Sequence, residues 1–300
     1  MKKWFLRVLS ALILFSVVAF AYYAYQIWIA MGRAYDPSSR IKSDKRQTVV
    51  SLTEDPVSIL LLGVDERKGD IGRSDTIMIA AINPHTKKVI LTNIPRDTLV
   101  KIPGREEKTK INHSYAYGGA RLTRLTVENF LDLPIDAYVK INMQGLKEIV
   151  DELGGVDVEV PFDFTYEGVH FKKGPMHLNG DQALAFVRMR KVDPIGDFGR
   201  IKRQQELIRA IIQKGTHWSS LTKLDNVMEK LGDNIKTDIP PIEWIKLQNL
   251  YAGISESRIQ TVSFQGKDTM INGVYYFKIS EKEVRRVHDI LAKQLEYTGK

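Results

Sequence analysis

The 300-residue chain contains no cysteine. Disulfides, zinc–thiolate centres and thiol nucleophiles are excluded together. The composition suits an oxidising exterior without requiring one. There is no G-x-x-x-x-G-K-[ST] phosphate loop, no G-x-G-x-x-G fingerprint and no G-x-S-x-G elbow. The six histidines are scattered without ligand spacing, and His113 in KINHSY reads as a hydrogen-bonded loop histidine. No helix-turn-helix or other nucleic-acid reading module is present, although a net charge of +8 on its own would admit any anionic partner, including DNA or a membrane surface. Repeats and low-complexity tracts are absent, and a long apolar run occurs once.

That run is amino-terminal. After Lys2, Lys3 and Arg7 comes an uncharged segment, Val8 to Met31, and a bilayer span needs roughly 20 apolar residues. Tyr22, Tyr23, Tyr25 and Trp28 near its far end suit an interfacial belt. Ala19-Phe20-Ala21 resembles a signal-peptide cleavage site, yet the apolar run continues past it, which favours an uncleaved anchor. The expected organisation is a cytoplasmic tail over 1–7, a transmembrane signal-anchor over 8–31, a stalk or initial helix over 32–54, and one catalytic domain over 55–300. Arg33, Arg40, Lys42, Lys45 and Arg46 follow the run closely, so the positive-inside rule does not orient it.

From Val57 the pattern becomes that of a buried sheet. VSILLLGV is apolar throughout, as central strands are. TIMIAAI (Thr76 to Ile82) and VILTNI (Val89 to Ile94) follow, and the short NPHTKK turn predicts antiparallel pairing of those two. Helices are predicted after Gly118-Gly119, over Met143 to Leu153, around Ala183 to Val187, from Asp197 onward, near Asn226 to Asn234, over Ile242 to Ala252, and after the capping pair Ser280–Glu283. Strands are predicted at Ala137 to Ile141, Val156 to Pro161 and in RIQTVSF, and a hairpin in FTYEGVHFKKGPMHLNG. The fold expected is a single α/β domain, three-layer-like, with a mixed central β-sheet flanked by helices and one amino-terminal transmembrane helix before it.

Two places carry candidate chemistry. If the first three strands form an antiparallel meander, Asp65 and Arg67, Arg73 and Asp75, and Arg96 and Asp97 meet at one sheet edge, the usual ligand position in an open α/β sheet. Ion pairs Arg73–Asp65 and Arg96–Asp75 that merely hold loops are the plain alternative. The second place is Phe186 to Gln204. On a helix from Asp197 the apolar stripe is Ile201, Leu207, Ile208, Ile211 and Ile212; Arg200 and Gln204 fall on it, Lys202, Glu206 and Arg209 fall opposite, and Arg203 lies on the flank. Arg188 and Arg190 share a face if their segment is extended. Inward guanidinium groups require an anion, either structural carboxylates or a phosphate-bearing ligand. Oxygen ligands without histidine or cysteine suit a hard cation such as Mg²⁺ shared with substrate phosphates.

Together LLLGVDER (61–67), GRSDTIMI (72–79), NIPRDT (93–98), KINHSYAYGG (110–119), VENFLDLPIDAYVKIN, VDELGGVDVEVP, LNGDQALAFVRMRK and GDFGRIKRQQELI resemble the LytR-CpsA-Psr family of cell-wall enzymes. The resemblance runs in order from about Ser58 to Gln213 and is loose after residue 214. It implies a membrane-anchored phosphotransferase with an extracytoplasmic catalytic domain. Its partners would be an undecaprenyl-pyrophosphate-linked glycopolymer, typically wall teichoic acid, and peptidoglycan, with transfer to a muramic acid 6-hydroxyl and no nucleic acid involved. It implies Mg²⁺, or Mn²⁺ in its place, at Asp65 and Asp75, and pyrophosphate binding by Arg73, Arg96, Arg188, Arg190, Arg200 and Gln204. Lys110 and Asp197 sit in matching segments, and Asp65, Asp75 and Arg96 are the catalytic candidates. A prenyl-chain tunnel between sheet and helices is also implied. The rivals are a lipid-pyrophosphate hydrolase using the same site, a non-catalytic polyprenyl-phosphate binder, and a DNA-binding attenuator.

Overall fold

A computed structural model describes residues 34–37, 42–66, 72–190, 192–216 and 234–299. The expected membrane span, the loop around Arg67 and nearly all of the helix expected near Asn226 to Asn234 lie outside the described residues.

Six strands form the central sheet in the order β11-β6-β1-β2-β3-β12. They are β1 (Val57–Val64), β2 (Ser74–Asn83), β3 (Lys88–Asn93), β6 (Ala137–Asn142), β11 (Ile235–Thr237) and β12 (Ile259–Ser263). β1, β2 and β3 form the antiparallel meander that the short turns predict. β6 runs parallel to β1 and β12 parallel to β3, so β1, β3, β6 and β12 all end at the same sheet edge. The sheet is mixed.

The apolar strand runs bury both faces. Leu60, Leu62, Ile77 and Ile79 meet α1 (His113–Leu131) and α6 (Glu281–Gln294) on one side. Val57, Ile59, Met78 and Leu91 meet α5 (Pro241–Leu250) and Ile208 and Ile212 of α4 (Asp197–Thr216) on the other. A second apolar cluster joins α2 (Met143–Glu152), α3 (Gly180–Arg188), β7 (Val156–Val160), the hairpin of β8 (Phe164–Tyr166) with β9 (Val169–Phe171), and β10 (Gly174–Leu178). Leu207 and Ala210 of α4 pack into this second cluster, so α4 lies between two cores. Leu122 and Phe130 of α1 pack against the sheet core.

Four observations refine the sequence reading. The short β4 (Leu99–Lys101) pairs with β5 (Lys108–Lys110), and β13 (Lys267–Ile271) pairs with β14 (Val274–Lys278); neither pair was predicted. Ser280 does cap α6 by accepting from the Glu283 amide at 3.3 Å, but the Glu283 carboxylate turns away, taking the Gln265 amide at 2.8 Å and Arg286. Arg188 closes helix α3 and is not on an extended segment, so it does not alternate with Arg190 as a strand would. Part of the 32–54 stretch packs onto the domain: Ala34 and Leu52 are buried, and Arg46 holds Asp136 at 2.9 Å.

Candidate active site

Strand register assembles the edge. Ile94 donates its amide to Ile77 O at 2.8 Å, which continues the β2–β3 register, so Arg96 faces Asp75 two positions further on. Their side chains meet at 2.6 Å. On the other flank Val64 pairs with Ser74, and the Asp65 amide reaches Arg73 O at 3.4 Å. Gly72 makes this return possible. It has φ +71°, and a Cβ there would collide with the Asp65 carbonyl.

Asp97 extends the edge with Lys110 at 2.7 Å and Arg96 Nε at 3.7 Å. Lys110 also lies 5.8 Å from the rings of Tyr275 and Tyr276. From the other side comes the start of α4. Arg200 pairs with Asp197 at 2.8 Å, Gln204 accepts from Asn93 Nδ2 at 3.2 Å, and Arg190 approaches Asp197 at 3.9 Å. Arg200 and Gln204 are buried and Lys202 is exposed, as the helical phase predicts. Arg188 is half-buried, Arg73 and Arg190 are exposed, and Asp65 and Asp75 are half-buried.

The electrostatics join the two flanks into one field. Burial lowers the Arg200 pKa, and Arg96 and Arg190 oppose its charge further, while Asp197 and Asp75 favour it. Burial works against the Arg96 charge as well, but Asp75, Asp197 and Asp97 outweigh it and the net shift is upward. Arg96 Nε and Arg200 Nε are buried and form no hydrogen bond within the described residues. Buried N–H groups ordinarily find acceptors. Two guanidinium edges lacking one, on separate elements beside the same sheet edge, suit an oxyanion arriving from outside.

Among the described residues no group of three or more His, Cys, Asp or Glu is placed to hold a metal. Asp65 and Asp75 supply oxygen donors only, beside guanidinium groups. That donor set fits a hard cation which takes one or two carboxylates and completes its shell with substrate phosphates and water.

Two further sets of residues were missed in the sequence. Arg203 is the largest fully buried side chain among the described residues. Its guanidinium ion-pairs with Asp193 and donates to Met189 O and, at 2.8 Å, to Phe186 O. It is a strut beneath the segment bearing Arg188 and Arg190, not a ligand. Glu66, next to Asp65, takes hydrogen bonds from Tyr115 Oη at 2.6 Å and Lys140 Nζ at 2.7 Å. Burial and then Glu66 push the Tyr115 phenol upward, which keeps it a donor. The available signal was a lysine inside the otherwise apolar AYVKI strand.

His113 bonds Thr109 Oγ1 at 2.9 Å, so it is hydrogen-bonded as expected, but it opens helix α1 rather than lying in a loop. Burial, then Arg73 and Lys110, hold its pKa below the ordinary 6.5. The unfolded chain therefore binds the proton more readily, and this contribution to stability is complete above about pH 6.5 and is lost as pH falls below it. Thermal melts are expected to drop between pH 7.5 and 5.5, less steeply for His113→Gln; equal slopes would remove His113 as the cause.

The LytR_cpsA_psr family profile matches residues 23–293. A relative 42% identical over all of this chain and 97% of its own length is the polyisoprenyl-teichoic acid--peptidoglycan teichoic acid transferase TagU of Bacillus licheniformis. The crystal structure of B. subtilis TagV is similar at TM-score 0.75 and 41% identity, covering 82% of this chain and 100% of that one. A structure described as TagT bound to LIIa-WTA is similar at TM-score 0.74 and 34% identity, covering 85% and 97%. With a match spanning nearly the whole length and the arginine–carboxylate edge assembled as the motifs require, the chain belongs to the LytR-CpsA-Psr family.

Proposed function

We propose that this protein is a membrane-anchored phosphotransferase that moves an anionic glycopolymer, of the wall teichoic acid kind, from an undecaprenyl-pyrophosphate carrier to a peptidoglycan hydroxyl, at the muramic acid 6-position. The observation that carries the reading is the pair of buried guanidinium nitrogens, Arg96 Nε and Arg200 Nε, which form no hydrogen bond within the described residues. The transferase names of relatives about 40% identical over nearly the whole chain support it.

In this reading Arg96 and Arg200 bind the pyrophosphate from opposite flanks, with Arg73, Arg188, Arg190 and Lys110 adding positive potential and Gln204 orienting the group. Asp65 and Asp75 would hold Mg²⁺, which neutralises pyrophosphate oxygens when bound. The acceptor oxygen attacks the phosphorus nearer the sugar. The bond from that phosphorus to the bridging oxygen breaks, and undecaprenyl phosphate departs with the electron pair. Asp65 or Asp75 would assist removal of the acceptor's proton, Asp75 less readily while Arg96 holds it. The catalytic domain acts outside the cytoplasmic membrane, where peptidoglycan lies.

Purified protein given a defined lipid-pyrophosphate sugar, peptidoglycan oligomers and Mg²⁺ is expected to yield a phosphate-linked conjugate by mass. Released sugar phosphate with no conjugate would instead establish a hydrolase. Omitting Mg²⁺ is expected to lower the yield, and protease digestion of intact protoplasts is expected to degrade the domain. Protection there would overturn the extracytoplasmic assignment.

A further inference from the structure

The rim of the arginine edge is apolar and exposed. The β13–β14 hairpin turns at Asn272 and Gly273, both at positive φ (49° and 76°), as a two-residue turn between twisted strands requires. Met270 pairs with Tyr275, and Ile271 with Val274, so these pairs point to opposite faces of the ribbon. Met270 is 63%, Ile271 39% and Val274 44% exposed. A hairpin packed on a domain hides one apolar face and wets the other; this tip presents apolar groups on both. Beside it lie Val192, Ile195 and Phe198, also exposed, and the Phe198 ring meets Phe277 of β14 edge-on at 5.3 Å. Elsewhere among the described residues the exposed large apolar side chains are Val49, Tyr117, Leu125 and Ile242, too dispersed in sequence to match this concentration.

We propose that this rim is a bilayer-contact surface, inserting the hairpin tip into the interface of an anionic membrane and setting the arginine edge at headgroup depth. The inference rests on the lipid-donor reading above. Two further observations identify the occupant. Exposed Lys267 and Lys278 face each other at the hairpin base, Asp268 beside them is held by the Tyr275 hydroxyl at 2.7 Å, and Arg190 is exposed nearby. Cations ringing an aliphatic tip suit anionic headgroups above acyl chains. The chain also enters the described fold from this side. Tyr35 pairs parallel with Thr237 of β11, and β11 runs antiparallel to β6, hence away from the site edge. The apolar segment expected as an anchor precedes that entry point. A peptidoglycan strand is a poorer match, because Met270, Ile271 and Val274 offer a polyhydroxylated chain no hydrogen bond.

The cysteine-free sequence allows a single label. Full-length protein carrying an environment-sensitive fluorophore at Ile271→Cys, reconstituted in phosphatidylglycerol-containing vesicles, is expected to emit blue-shifted light quenched by acyl-chain spin labels. The same probe at Ile242→Cys, 57% exposed and just beyond the far end of the sheet, is not. Equal behaviour at both positions overturns the proposal, as does a probe at 271 that responds to peptidoglycan oligomers but not to vesicles. The Met270→Ser/Ile271→Ser double variant is expected to lose about tenfold in transfer from a vesicle-embedded long-chain donor, the loss that partial burial of two apolar side chains implies. It should match wild type on a water-soluble short-chain donor. Equal activity of the variant on both donors overturns the proposal. If wild type transfers from neither donor, the transferase reading fails, and the quenching result still decides bilayer contact.

Discussion

Arg200→Ala is expected to lower the kcat/KM of transfer by about 10²–10³-fold, the range seen when one preorganised donor to developing charge is removed, with a melting temperature near wild type. Two features separate activity from stability here. Arg200 is desolvated, at 7% exposure, and its Nε forms no hydrogen bond within the described residues, so its burial costs the fold more than its pairing with Asp197 returns. Its partner Asp197 keeps a quarter of its side chain in solvent and is re-hydrated readily when the arginine is lost, so the stability change should stay within about 1 kcal/mol. Activity suffers twice, because the variant removes a cation from the pyrophosphate and leaves Asp197 to repel it. Arg200→Lys restores charge without the planar fork and should recover only a small part of the loss. A folded Arg200→Ala protein that transfers at the wild-type rate would overturn the clamp.

The residues of this edge were legible in the sequence for two separable reasons. β1, β2 and β3 are apolar over nearly their whole lengths, and the turn between β2 and β3 is short, so their order and direction follow from local pattern. The meander then places Asp75 and Arg96 together without further information. Arg200 and Gln204 were legible because an amphipathic helix has one phase.

Phase fails at Arg203 for a structural reason. A helix packed on one surface has one stripe, but α4 touches the sheet through Ile208 and Ile212 and the second cluster through Leu207 and Ala210. Its flank is therefore interior too, and Gln205 is buried with it. The β13–β14 hairpin escaped for the opposite reason. Its tip buries neither face, so the two-residue alternation that marks a half-buried strand is missing, and only the Asn272-Gly273 turn signal remains. Glu66 was visible as a charge beside Asp65, but its link to Tyr115 and Lys140 joins residues 49 and 74 positions away, which no local pattern encodes.

Arg203→Ala should therefore behave opposite to Arg200→Ala, although the two residues lie within one helical turn. The expected loss is about 3–5 kcal/mol of folding stability, the usual consequence of removing one member of a buried pair. The Asp193 side chain is 1% exposed. Without the guanidinium it retains the Ile195 amide at 2.9 Å but no counter-charge, and the Phe186 and Met189 carbonyls lose their donor. Gly199 shows how closely the carboxylate is enclosed: a Cβ at that position would overlap Asp193, so Gly199→Ala should destabilise through the same pair. The physical cause can be isolated. Asp193→Leu combined with Arg203→Met removes both charges and leaves no unpaired ion, so the double variant should be more stable than Arg203→Ala, and a double-mutant cycle should return a large favourable coupling. It should still transfer poorly, with the loss appearing in KM for the lipid donor, because the segment carrying Arg188 and Arg190 would be packed but no longer tied at Phe186 and Met189. Urea midpoints for the cycle, read beside KM and kcat, test both halves. A coupling near zero, or a double variant with wild-type KM, would show that Arg203 is neither the strut of that segment nor a determinant of donor binding.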